Sequence, residues 1–77
     1  MTQKEQRRQQ AVKRLTSAKI LANEEGYEHL TVYKKRKDFI VYEAYSDMFK
    51  TLKPIYIVVE YYDEVPYLAL KSVVDAM

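Results

Sequence analysis

Residues 55–62, IYIVVEYY, follow Pro54 and form the most apolar and most β-prone run of the chain. Alternation along a strand sends Ile55, Ile57, Val59 and Tyr61 to one face and Tyr56, Val58, Glu60 and Tyr62 to the other. Neither set is simply polar, so this run reads as a central strand that needs cover on both sides. The neighbouring segments are read by what they could contribute to that cover.

Gln3 to Glu25 contains neither proline nor glycine, is rich in helix formers, and stops at Gly26, the residue type favoured just past a helix end. It is the long helix. Ala11, Val12, Leu15, Ala18 and Ala22 make a stripe of mostly small side chains, expected to lie closely on the sheet. Before Ala11 the stripe vanishes, and Lys4, Arg7, Arg8 and four glutamines leave residues 1–10 as a projecting or frayed helix start. Ile20 falls opposite the stripe, either as a tolerated exposed aliphatic or as a contact with a second subunit.

Glu28 to Tyr33 alternates and reads as a strand that runs into Lys34, Lys35, Arg36 and Lys37, a cationic loop or hairpin tip. No glycine or asparagine marks the turn there, although two-residue hairpins favour such residues. Asp38 to Leu52 supports two readings. As one helix it starts at an Asp38 cap and buries Val41, Tyr42, Tyr45, Met48, Phe49 and Leu52; as a strand it pairs with residues 28–33 and leaves Ser46 to Leu52 as a short helical connector. The strand reading is preferred, because a two-stranded sheet is marginal in water. Asp63 to Pro66 then reads as a turn and Tyr67 to Leu70 as a returning strand. A last helix follows, with Ser72 and Asp75 resembling a capping box; a single helix from Pro66 to Met77 is the alternative. The expected fold is α+β: a long N-terminal helix packed on a small antiparallel sheet of three to four strands, with a short C-terminal helix, in one domain over residues 1–77.

A chain of 77 residues without cysteine has no disulfide or thiolate zinc site to reinforce a small core. Small chains of this kind often oligomerise, and a strand apolar on both faces adds to that expectation, with a dimer favoured. The start is charged and glutamine-rich, and no run reaches the ~20 apolar residues of a membrane span. No membrane association and a cytoplasmic location are therefore expected. Charge is uneven, at about +5 over residues 1–38 and −3 over residues 39–77, which suggests a basic face toward an anionic partner.

Parts for catalysis are missing. There is no cysteine nucleophile, His29 is the lone histidine, and one glycine cannot build a phosphate-cradling loop. Glu24 with Glu25 sits at a helix end and Asp63 with Glu64 in a turn, where solvated charge is ordinary, so neither pair is read as a metal site and no cofactor is expected. Lysine, arginine and tyrosine could orient RNA groups in a nuclease, yet their abundance is no constellation. What remains is a non-enzymatic interaction protein, a small regulator, subunit or inhibitor of the kind phages and mobile elements encode. Its expected partner is a protein, met through Tyr56, Tyr61, Tyr62 and Ile20. The alternative is nucleic-acid binding, with Arg7, Arg8, Arg14, Lys34, Lys35, Arg36 and Lys37 on phosphates and tyrosines on unpaired bases.

Overall fold

The computed structural model describes residues 3–46, 53–63 and 65–77, with the backbone alone for residues 3–5. Helix α1 spans Gln3–Glu24 and is followed by strands β1 (His29–Lys35), β2 (Phe39–Tyr45), β3 (Ile55–Glu60) and β4 (Pro66–Ala69), then by helix α2 (Lys71–Ala76). The strands form an antiparallel sheet in the order β1-β2-β3-β4. This is the α+β arrangement expected from the sequence. The strand reading of residues 39–45 holds; its helical connector lies, from residue 47 onward, outside the described residues.

Helix α1 ends where the sequence stops supplying a right-handed backbone. Gly26 takes φ 90°, and the amides of Gly26 and Tyr27 donate to the carbonyls of Asn23 and Ala22, at 3.1 and 2.9 Å. That is a Schellman closure, in which a left-handed glycine lets two orphan carbonyls find donors. Tyr27 itself enters the core, and its hydroxyl donates to the carbonyl of Lys53 at 2.6 Å, fastening the helix end to the start of β3.

The two faces of β3 are both covered within one chain. On one face Ala18 and Ala22 of α1 pack on Ile40, Tyr42, Ala44, Ile57 and Val59, with Leu21, Leu30, Ile55 and Tyr61 around them. On the other, Val74 of α2 packs on Val41, Tyr56 and Val58, with Phe39 and Ala69 alongside. Two alanines at the first contact let the helix approach the sheet closely. Ala11, Val12 and Leu15 belong to the same stripe but are exposed, which corrects the expectation that the whole stripe lies on the sheet. The reason is length: 22 residues make a helix of about 33 Å, whereas strands of six or seven residues span roughly 20–23 Å.

Strand β1 carries a bulge between Val32 and Lys34, so the run Leu30↔Ala44, Val32↔Tyr42 is followed by Lys34↔Val41. The extra residue places Tyr33 and Lys34 both toward α2. The Tyr33 hydroxyl donates to Asp75 Oδ1 at 2.6 Å, and Lys34 Nζ donates to the carbonyl of Val74 at 2.7 Å. Lys34 is thus a strand residue holding α2, which corrects its placement in a solvated cationic loop. The turn is shorter than expected, closed by the Arg36 amide donating to the carbonyl of Phe39 at 2.9 Å. A second correction concerns α2, whose N-cap is Leu70, in extended backbone with no side-chain cap; Ser72 lies inside the helix. Val74 anchors this short helix as its buried residue.

Candidate nucleic-acid interface

Strand direction and helix direction bring the basic segments to one end of the molecule. β1 begins beside Tyr45 and ends beside Ile40, and α1 runs antiparallel to it, so the N-terminal half of α1 lies where the β1–β2 hairpin tip and the β3–β4 turn also lie. The contact that shows this is the Arg14 guanidinium, which sits over the Tyr61 ring at 4.1 Å from its centroid. The Tyr61 amide in turn donates to the carbonyl of Asp38 in the hairpin at 3.0 Å. Helix, hairpin and turn are therefore in register with one another. Leu21, Arg14 and Arg7 recur every seven residues on one stripe of α1: Leu21 packs on the core, Arg14 covers Tyr61, and Arg7 lies two turns farther out.

Seven cations collect here, namely Arg7, Arg8, Lys13 and Arg14 of α1 and Lys35, Arg36 and Lys37 of the hairpin. The described acids at this end are Asp38, Glu60 and Asp63, and Glu60 is engaged by the Tyr67 hydroxyl at 3.1 Å. Among the described residues none of the seven cations is in an ion pair; the carboxylates that pair are Glu28, with His29, and Asp75, with Lys71. Arg36 Nη1 donates only to the adjacent carbonyl of Lys35, at 3.1 Å. Between the hairpin and the β3–β4 turn opens a cleft of about 500 Å³ lined by Lys37, Asp38, Phe39, Glu60, Tyr61 and Tyr62.

The tyrosines resolve into two groups once their partners are known. Tyr33, Tyr56 and Tyr67, on the face covered by α2, each donate to a carboxylate: Asp75 at 2.6 Å, Glu43 at 3.0 Å and Glu60 at 3.1 Å. The bond to Asp75 pushes the Tyr33 hydroxyl up to about 12 and holds the Asp75 carboxyl below its ordinary range. Tyr56 and Tyr67 are raised by desolvation first and then by their carboxylates. Tyr33 and Tyr56 also meet edge to face at 4.8 Å, and Tyr45 stacks on His29 at 5.0 Å. Tyr27 and Tyr42 belong to the core, and burial raises the Tyr42 hydroxyl. Tyr61 lies under Arg14. Tyr62 is left, 96% exposed, with no hydrogen bond or ring contact among the described residues.

The residues expected at a protein-binding surface are therefore dispersed. Tyr56 is only 5% exposed and packs with Val74 of α2; Tyr61 is half-buried; Tyr62 is exposed at the basic end. Ile20 is 55% exposed on the outer side of α1, flanked by Thr16, Ser17, Asn23 and Glu24 with no apolar neighbour at helical spacing. Of the residues expected on phosphates, Arg7, Arg8, Arg14, Lys35, Arg36 and Lys37 belong to the segments at the basic end, Arg7 and Arg14 on one stripe of α1 and Arg8 off it, while Lys34 turns to α2. Lys13 was passed over, although its place beside Arg14 was visible in the sequence. The Arg14–Tyr61 contact had no such signal, because 46 residues and the whole sheet topology lie between the two side chains.

A second cleft, of about 470 Å³, lies at the opposite end of the sheet among Ile55, Tyr56, Leu68 and Leu70, with Lys53 and Lys71 also lining it. Its lining is mostly apolar, without a convergent set of polar groups. Among the described residues no three of His, Asp and Glu come together as metal ligands, and no helix is long and apolar enough to cross a membrane. No family model, curated protein or solved structure matches the chain.

Proposed function

We propose that the chain is a non-enzymatic binding module whose basic end docks on nucleic acid. One observation supports this reading above the others: two segments distant in sequence deliver seven cations to a single end, and no described carboxylate pairs with any of them. Gathering seven cations where the described acids are Asp38, Glu60 and Asp63 leaves an excess of like charge that is mildly repulsive within the fold, and a polyanion offsets that repulsion while releasing its own counterions. The test is fluorescence anisotropy with labelled oligonucleotides at stepped salt. Affinity should fall steeply, with log affinity against log salt losing roughly 0.7 to 0.9 per phosphate engaged. Absence of binding even at low salt would rule the reading out.

A protein partner is the second reading, and Val12 and Leu15 favour it. They extend the apolar stripe of α1 beyond the sheet, where Val12 is 57% exposed. A partner laid along this part of α1 would bury them. Homodimerisation belongs with this reading: both faces of β3 are covered within one chain, so a second copy would use exposed side chains elsewhere, such as Val12 on α1 or Leu68 and Leu70 at β4 and its end. An affinity pull-down resolved into protein and nucleic-acid fractions, with light scattering of the purified chain, separates these outcomes.

A further inference from the structure

We infer that Tyr62 is a base-stacking residue and that the nucleic acid bound at the basic end is single-stranded. The inference rests on the nucleic-acid reading above and narrows its ligand class. Seven of the eight tyrosines have an assignment inside the fold: three donate to carboxylates, one donates to the Lys53 carbonyl, one stacks on His29, one fills the core, and one lies under Arg14. Tyr62 has none. A ring 96% exposed gains nothing from burial in the folded chain, yet it offers a π-face that any unpaired base can cover.

Its position supplies the second part. Tyr62 directly follows Tyr61, the ring beneath Arg14, and it lines the same cleft as Lys37. The hairpin cation Lys37 thus lies in the cleft that Tyr62 lines, with Asp38 and Glu60 also on its walls, and Arg14 of the helix lies over the neighbouring ring of Tyr61. A groove that tracks a backbone by charge and holds bases by stacking is the general design of single-strand binding. In a duplex the bases are stacked on one another, and Tyr62 would have no free face to meet. DNA and RNA share the chemistry invoked here, an unpaired base on a phosphodiester chain.

The experiment compares labelled single strands of DNA and RNA, each of about 12 nucleotides, with the duplex of the same sequence, on the full chain. Single strands should bind more tightly than duplex. Tyr62→Ala should weaken single-strand binding about 5- to 150-fold and leave duplex binding unchanged, while Tyr62→Phe, which keeps the ring, should match the wild type. Comparison of the two single strands shows whether the sugar is also read. Single-strand affinity that survives Tyr62→Ala, or equal affinity for single strand and duplex, overturns the assignment and leaves the basic-end reading standing. Loss in Tyr62→Phe equal to that in Tyr62→Ala also overturns it, because the hydroxyl would then be the recognised group. If no oligonucleotide binds at low salt, both readings fall together. Thermal melts of both variants should coincide with the wild type, since Tyr62 is 96% exposed and makes no hydrogen bond or ring contact among the described residues.

Discussion

At Gly26 a φ of 90° and an empty shell, with nothing within 4 Å of where a Cβ would stand, separate backbone strain from steric clash. Gly26→Ala should therefore cost only the strain of a left-handed L residue, ~1–2 kcal/mol, less the ~0.4–1 kcal/mol by which alanine restricts the unfolded chain. The net expected loss is about 1 kcal/mol by denaturant titration, and Gly26→Asn should lose less. Tyr33 and Asp75 give a prediction with two pH limits. Asp75 is held below its ordinary value, so its contribution exists above pH 3.8 and fades as pH falls through the depressed range. Tyr33 is raised, so its contribution is whole below pH 10 and fades as pH climbs to about 12. Melting temperatures of wild type and Tyr33→Phe should differ across the neutral range and converge at both extremes. A difference that stays constant with pH would show that this bond is not what the hydroxyl contributes.

Elements in this fold are held by very unequal contacts. α1 touches the core through Ala18 and Ala22 and then overhangs, so Ala18→Leu should cost about 1–3 kcal/mol by overpacking, while Ala11→Leu on the same stripe should stay within about 0.5 kcal/mol. Urea unfolding of the two variants checks the overhang directly. α2 depends on Val74 for burial and on β1 for its polar ties. Val74→Asp should detach it and uncover Val41 and Val58, read as binding of a hydrophobic dye without loss of the sheet's circular dichroism. Much of this architecture was legible. A β-branched run after Pro54 left little choice for β3, and Gly26 marked the end of α1. β2 was ambiguous because Val41, Tyr42 and Tyr45 satisfy a helical spacing as well as an alternating one, and sheet pairing decided between them. The start of α2 was misread because Ser72 and Asp75 have the capping-box spacing, while the observed cap is Leu70 through its backbone alone.

For the whole molecule, the excess of cations in the first half of the chain was visible in the sequence, but its geometry was not. A bulge without glycine removed Lys34 from the cationic tip, and only the register of β1 on β2 reveals it. That distinction is measurable. Replacing Lys35, Arg36 and Lys37 together by Gln should leave the melting temperature unchanged, since exposed charges contribute little, and should weaken oligonucleotide binding with a shallower salt dependence. Adding Lys34→Met to the set should lower the melting temperature, because the donor to the Val74 carbonyl is lost, with little further change in affinity. The tyrosines were the least legible feature, as the side chain suits a core edge, a carboxylate partner or a stacking platform equally well.

The bulge in β1 also bears on how copies of this protein behave when crowded. Both outer strands of the sheet are poor templates: β1 is distorted at Tyr33 and studded with Lys34 and Lys35, and β4 is four residues long and opens with Pro66, which has no N–H to offer. Fibril-like growth by strand addition is disfavoured at each border, although the interior strands carry the Ile- and Val-rich composition that favours it. The molecule can thus keep an aggregation-prone segment such as IYIVV at its centre while its margins resist recruitment.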